Sequence, residues 1–505
     1  MNLMAGMGRY LDSGDGSDIS YENANDHIQG SSVGMADGPF YPTSYKYKNE
    51  KRSQFVRGSF DLFGRYVVSA SLRRDGTDKF FPSKKYALFP SVSLAWKMNE
   101  ESFIKNISWI NMLKLRASYG ETGSDNLGTT LYGIVTTARE DVQFNNNSVT
   151  YIPYILSGAN YEDVTWQKTV MKNIGLDFSI FRDRIWGSVD VFRNDVTHLL
   201  GTAPTELLGM HGTRPINGGH YKRTGIDVSL NSLNLQTHDF KWTSQITMSH
   251  YNAVWIERMP NYDYQKYQKR KNEPMNAFYY YKTTGIIDMD KSNMPESQRS
   301  LGPAACMPGY PIVEDKNGDG IIDVNDSYMD NMLPKLYFGF GNTFTWKNFD
   351  LDIFMYGQLG VKKWNDAYSY SADAGNLSRG VDAHNVGIYS YNIWNTQTNT
   401  NGYFPGIAIS KSVALPENLG FDYTRENASY IRVRNITLGY NLGPKELSVF
   451  KGYIRGIRVF VDFQNPLTFT KYKGYDPEIN TSSSNLTGGQ YPQMRVYSIG
   501  AKLTF

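Results

Sequence analysis

The densest ligating chemistry in this chain lies in Asp315-Lys316-Asn317-Gly318-Asp319-Gly320-Ile321-Ile322-Asp323-Val324-Asn325-Asp326. Side-chain oxygens recur at Asp315, Asn317, Asp319, Asp323 and Asp326, Gly320 sits at the tight turn, and the Ile321 carbonyl is available as a further ligand. Oxygen-only donors at alternate positions are what a hard divalent cation needs, so the expected cofactor is a structural Ca2+. The twelfth position is Asp326 rather than Glu, and no amphipathic helix flanks the run, so it is not an EF-hand sensor. The plainer reading is a turn whose Asp and Asn side chains bond local backbone amides. Either way the run braces a loop and does no catalysis.

Two other loop regions are dense in aromatics. The first holds Tyr262, Tyr264, Tyr267, Phe278, Tyr279, Tyr280 and Tyr281, with Lys266, Lys269, Arg270 and Lys271 between its halves. The second holds Trp364, Tyr368, Tyr370, Tyr389, Tyr391 and Trp394. Flat rings beside Asn and Asp can stack on sugars or hold peptide, which makes Trp364, Tyr368 and Tyr370 candidate ligand contacts. Internal loop packing, or an interfacial girdle, is the simpler account. The basic cluster reads as a solvated loop face.

Enzyme chemistry finds no support. The seven histidines are scattered, without a pair at ligand spacing, and no nucleophile elbow, Walker loop or dinucleotide fingerprint occurs in a strand-to-helix context. Cys306 is the lone cysteine, which excludes an internal disulfide and a Cys-based zinc site. A net charge of +3, spread along the chain, argues against nucleic acid.

The elements that must hold these loops read as strands. Tyr497, Ile499, Ala501, Leu503 and Phe505 share one face of the last segment; Ser498, Gly500, Lys502 and Thr504 share the other. Such alternation up to a terminal Phe suits a strand with lipid outside and water inside, and the five apolar residues are the expected membrane-assembly signal. Thirty-seven Tyr and 46 Gly fit β structure with long polar loops better than a helical core. No run of eighteen apolar residues is present, but a barrel strand needs only about 10 alternating ones.

Fourteen strands are expected, near 1–10, 53–63, 66–75, 86–98, 111–121, 164–181, 185–196, 222–235, 239–252, 335–347, 349–360, 429–442, 454–466 and 494–505. Links after even-numbered strands are short and those after odd-numbered ones long, the rhythm of short periplasmic turns and long extracellular loops. The largest loop is expected at 253–334. The segment 395–402 is the best candidate for a disordered linker, although interspersed aromatics argue that most of the long loops fold.

In this order the chain resembles the C-terminal half of a SusC/RagA-type TonB-dependent transporter from the outer membrane of Bacteroidetes. The resemblance rests on Tyr66-Val67-Val68-Ser69-Ala70-Ser71-Leu72-Arg73-Arg74-Asp75-Gly76, Leu88-Phe89-Pro90-Ser91-Val92-Ser93-Leu94-Ala95-Trp96 and Leu113-Lys114-Leu115-Arg116-Ala117-Ser118-Tyr119-Gly120. Trp166-Gln167-Lys168-Thr169, the 315–326 run, Tyr430-Ile431-Arg432-Val433-Arg434-Asn435 and the last strand complete it. It implies an all-β transmembrane antiparallel barrel, here about 14 C-terminal strands of a 22-stranded one, as one unit over 1–505 with the plug and TonB-contact segment outside the chain. The first residues do not read as a secretory signal, so the chain is expected to be a fragment. The resemblance further implies import of an oligosaccharide or peptide, with a SusD-like lipoprotein, the TonB complex and outer-membrane lipids as partners. A surface glycan- or peptide-binding protein or adhesin without transport is the alternative, and a soluble all-β binding protein the third reading.

Overall fold

Side-chain alternation and turn chemistry build one large antiparallel sheet. A computed structural model describes residues 1–21, 40–127, 162–204, 213–260, 264–364, 392–406, 415–443, 453–474, 476–479 and 492–505, with short pieces between them. Fourteen strands form the sheet in sequence order: β1 (Asn2–Tyr21), β2 (Phe40–Leu62), β3 (Tyr66–Thr77), β4 (Tyr86–Lys97), β5 (Ile110–Ser124), β6 (Gln167–Ile180) and β7 (Ile185–Pro204), then β8 (Thr213–Gln236), β9 (Phe240–Glu257), β10 (Leu336–Trp346), β11 (Phe349–Leu359), β12 (Tyr430–Leu442), β13 (Gly456–Thr470) and β14 (Val496–Thr504). This is the wall of a transmembrane β-barrel. Each expected strand is present, and the largest errors are at the outer ends. Pairing continues from Asn2↔Ser59 to Tyr21↔Phe40 and from Ile185↔Ser232 to Pro204↔Thr213, so β1–β2 and β7–β8 rise well past the height a bilayer needs. The 205–212 link is therefore short rather than long.

One rim carries the tight connections 63–65, 181–184, 237–239 and 347–348; the other carries 125–166, 258–335 and 360–429. Consecutive positive φ at Phe63 (56°) and Gly64 (68°) give the β2–β3 hairpin a turn whose twist matches its strands. The outer loop expected at 253–334 begins later, because β9 runs to Glu257.

Register assigns the two faces. Ala117, Ile174, Val191 and Ile226 lie in one row across β5–β8, and Ile457–Leu503, Val459–Ala501, Val461–Ile499 and Phe463–Tyr497 pair across β13–β14. These apolar residues stay open to the surroundings, with Ile174 62% and Ile499 80% exposed. Water-soluble surfaces do not carry apolar patches of this extent; hydrocarbon covers them. On the opposite face Ser59 bonds Ser69 at 2.9 Å and Ser71 bonds Ser91 at 2.7 Å, a hydroxyl ladder across β2, β3 and β4.

An aromatic girdle marks the short-turn rim. Trp109 stacks on Phe181 (5.8 Å), Trp242 on Phe344 (5.5 Å) and Trp346 on Phe349 (6.0 Å), with Tyr440 4.7 Å from Phe349. Amphipathic rings favour the headgroup level.

The compact core belongs to the outer loops. Tyr281, Val313, Ile322 and Leu415 form one buried cluster and Ile287, Ala305, Tyr310 and Ile312 another. Strand Ala277–Tyr281 pairs with Tyr328–Asn331 on one side and, in parallel, with Gly420–Phe421 on the other. The 258–335 and 360–429 links thus fold on each other.

Candidate functional site

In the 315–326 loop each acidic side chain first serves the backbone. Asp315 accepts from the amides of Gly318 (2.8 Å) and Gly320 (2.9 Å), Asn317 from Asp319 (2.9 Å), Asp319 from Ile321 (2.9 Å) and Asp323 from Asn325 (2.7 Å). Gly318 and Gly320, at φ of 74° and 83°, permit the tight winding. Asp326 is fully buried; one oxygen accepts from Lys316 and Asn317 and the other from Asp323, which closes the loop end to end. Ile322 pins the loop to the buried cluster, and Arg270 donates to the Val324 and Ser327 carbonyls. No three carboxylate, His or Cys groups converge as a cation cluster among the described residues. The side-chain donors are oxygen-only, the class a hard cation takes, and here they are engaged by the loop's own amides, which brace it.

The first aromatic group packs internally. Tyr281 is fully buried, and its hydroxyl donates to the Asp323 and Pro416 carbonyls. Tyr280 stacks between Phe278 and Tyr328, and burial pushes its phenol up to about 12. Tyr279 and Arg258 both donate to Glu273, whose burial raises its carboxyl above the usual range. Arg270, expected on a solvated face, is instead a brace whose burial lowers its pKa. Of the proposed ligand contacts, Tyr368 and Tyr370 lie outside the described residues, and Trp364 is placed by its backbone at the end of the Lys362–Trp364 strand. The other members, Tyr262, Tyr389 and Tyr391, also lie outside them, whereas Trp394 is buried against Gly309.

A cleft that the sequence does not reveal opens beside this core. Asn392, Tyr403, Phe404, Tyr423, Arg425, Glu426 and Lys473 line about 260 Å³. Tyr403 is 65% exposed and meets Phe404 edge-on at 5.1 Å; Phe404 meets Tyr423 at 6.0 Å, and Tyr423 stacks on Phe421 at 5.3 Å. Beneath it Arg425 lies 4.1 Å over the Phe278 ring and donates to the Lys362 carbonyl, its pKa lowered by burial. The 395–402 segment beside the cleft is an ordered turn, not a linker. Asn395 accepts from the amides of Gln397 and Thr398, and across its base the Trp394 amide donates to the Phe404 carbonyl while the Phe404 amide donates to the Asn392 carbonyl. The only sequence signal for this is Trp394 and Tyr403-Phe404 flanking the polar run. A ring platform ringed by Asn, Glu, Arg and Lys can stack on a flat polar ligand and orient it by hydrogen bonds.

The lumenal face below is polar and ionic. Arg116 donates to Asp177 (2.7 Å) and Asp190 (3.1 Å), and Lys114 joins Asp177 at 3.1 Å. Arg223 lies 3.8 Å over Tyr251, which stacks parallel to Tyr337 at 5.7 Å. Near the outer end Arg432 binds Asp476 (2.8 Å), Glu478 (2.6 Å) and the Thr468 hydroxyl (3.0 Å). Lys363, its pKa lowered by burial, donates to the Pro477 and Ile479 carbonyls, so the last outer loop is tied inward.

Comparison with known proteins agrees with this architecture. Residues 3–465 match the family described as TonB dependent receptor-like, beta-barrel. TonB-dependent receptor P3 of Formosa agariphila is 28% identical over 97% of the chain and 48% of its own length. TonB-dependent receptor SusC of Bacteroides thetaiotaomicron is 27% identical over 92% of the chain and 44% of its own length. The chain thus spans about half the length of these curated relatives. The solved RagAB peptide transporter superposes with a TM-score of 0.75 over all of this chain and 53% of that one, at 21% identity, which shows a shared fold. Because that family match runs through thirteen of the fourteen strands of the wall, the chain belongs to the TonB dependent receptor-like β-barrel family of the outer membrane.

Proposed function

We propose that this wall serves energy-coupled import of an oligosaccharide or peptide across the outer membrane. Its outer loops would work with a SusD-like lipoprotein, and the TonB complex would drive transport through the whole protein. The observation that carries this reading is the aromatic cleft of Tyr403, Phe404 and Tyr423 on the long-loop side, held over a polar lumen. Similarity to SusC, and the shared fold with a peptide transporter, support the same class. In this reading Asp315, Asn317, Asp319, the Ile321 carbonyl and Asp323 hold a structural Ca2+, and Asp326 closes the loop around it. The alternating apolar residues Tyr497, Ile499, Ala501, Leu503 and Phe505 guide insertion of the last strand.

The test is uptake of labelled oligosaccharide and peptide mixtures by cells expressing the whole protein with Tyr403→Ala and Tyr423→Ala. Loss of one ring platform weakens capture about tenfold, the equivalent of roughly 1–1.5 kcal/mol for an aromatic contact. Unchanged uptake at equal surface abundance removes the cleft from the pathway. Capture without uptake in the unsubstituted protein favours a binding protein instead.

A further inference from the structure

The lipid-facing side of β4–β8 is not uniform. Val92, Leu94, Ala117, Ile174 and Val191 line an open trough of about 500 Å³, edged by Tyr119, Lys172, Arg193 and Thr224. The trough exists because Ala117 contributes one methyl between Leu94 and Ile174 in the same row. Lys172, Arg193 and Thr224 occupy adjacent register positions on β6, β7 and β8, one step nearer the long-loop rim than Ile174, Val191 and Ile226. Lys222 follows one step farther out, opposite Asp195.

Charges there do not cancel. Arg193 binds Asp195 through both oxygens at 2.8 Å, and Glu121 takes Lys168 (3.0 Å) and the Tyr119 hydroxyl (2.7 Å). Lys172 and Lys222 make no ion pair among the described residues. Cations on a membrane-facing surface are costly unless they reach water or an anionic headgroup. Their height is informative. From Phe181, in the aromatic girdle, to Lys172 the strand climbs about 30 Å, or about 23 Å upright at a barrel tilt of roughly 40°, which matches the apolar band of an outer-membrane wall. Lys172 therefore stands at the outer-leaflet headgroups, directly above an acyl-sized trough.

We propose that this surface binds a phosphorylated glycolipid of the outer leaflet, with an acyl chain in the trough over Ala117 and its phosphate on Lys172 and Lys222. Arg193, already neutralised by Asp195, offers its remaining donors to the sugar. The occupant is a lipid because the trough is apolar and faces the bilayer, and it is phosphorylated because the surplus charge is cationic.

The whole protein is purified from outer membranes in mild detergent and examined by native mass spectrometry after titration with bisphosphorylated lipid A. One lipid A per chain is expected, retained at least tenfold less well by Lys172→Gln with Lys222→Gln, and likewise by Ala117→Phe, which fills the trough. Heat-modifiable migration on gels confirms that each variant is folded. Equal retention by these variants overturns the proposal. So does equal retention of dephosphorylated lipid A, or of phosphatidylglycerol, either of which would mark an unselective interfacial surface. Displacement of lipid A by inorganic phosphate alone would overturn the acyl-chain contact.

Discussion

Arg116 on β5 and Asp190 on β7 form an ion pair at 3.1 Å although β6 runs between them. The crossing point is Gly175, where a Cβ would lie 2.3 Å from the Asp190 carboxylate and 2.7 Å from the Arg116 guanidinium. The arrangement recurs on the lumenal side of β11–β13: Arg458 reaches Asp350 at 2.5 Å over Gly439. Each glycine gives up a side chain so that a charge pair can bridge three strands.

Gly175→Val should therefore part Arg116 from Asp190 and destabilise the folded wall by about 1–3 kcal/mol. Gly120→Ala is the control, since its Cβ would meet the Ser91 Cβ at an ordinary 3.5 Å. Urea unfolding in detergent, followed by heat-modifiable migration, reads both. Equal midpoints for the two variants would show that Asp177 alone satisfies Arg116.

Arg432→Met leaves Asp476, only 5% exposed at its side chain, without its cation. Breaking one side of a buried pair costs about 3–5 kcal/mol. The loss should appear locally, as faster protease cleavage within 471–479, with the strand pairing of β12 to β13 retained. The double variant Arg432→Met with Asp476→Leu should recover much of the protection, because no buried charge is then orphaned.

Ca2+ at about 100 times its dissociation constant would add about 2.7 kcal/mol to the loop core through binding linkage. Protease resistance across 277–331 should rise with added Ca2+, fall with a chelator, and respond to neither in Asp315→Asn with Asp319→Asn. Resistance that ignores Ca2+ in the unsubstituted protein would show that the side-chain-to-amide bonds brace the loop unaided.

Glu314 should make the same loops acid-sensitive. The Lys282 ammonium, then the Tyr328 hydroxyl, hold its carboxyl below the usual glutamate range. A depressed folded pKa stabilises above the unfolded value and is lost as pH falls through the folded one. The pairing of Thr283–Ile286 with Pro311–Val313 should loosen below about pH 4. Glu273, raised by burial, acts in the opposite sense and loses stability as pH rises. Glu314→Gln isolates the first effect: hydrogen exchange in these strands should then lose its acid-side acceleration.

The wall was legible because its rule is local. Period-two alternation and turn residues repeat in every hairpin, and register follows from which face must meet lipid. The lumenal ion pairs were not, since Arg116 and Asp190 are brought together only by the registers of β5–β6 and β6–β7. The cleft was hidden for a similar reason. Tyr403, Tyr423 and Lys473 come from three separate segments, brought together by tertiary contacts such as the parallel pairing of Tyr280 with Gly420 and the bond from the Lys473 amide to Glu426. The 315–326 run was legible as a motif, but the burial of Asp326, which turns it toward closing the loop, is set by tertiary packing.

The pairing of Ala277–Tyr281 with Tyr328–Asn331 bears on how the wall assembles. Bringing β9 and β10 together across 258–335 costs about 3 kcal/mol more chain entropy than closing β8 on β9 through 237–239, by the logarithm of loop length. The contact Ala277↔Asn331 joins a point five residues before β10 to a segment that is itself tied back to the end of β9, where the Met275 amide donates to the Ala253 carbonyl and the Trp255 amide to the Glu273 carbonyl. A link that has folded on itself behaves as a short tether, and most of its closure entropy has already been spent before the two strands meet. The outer loop then acts as a jig, setting the spacing of a seam that the strands alone would have to find by diffusion.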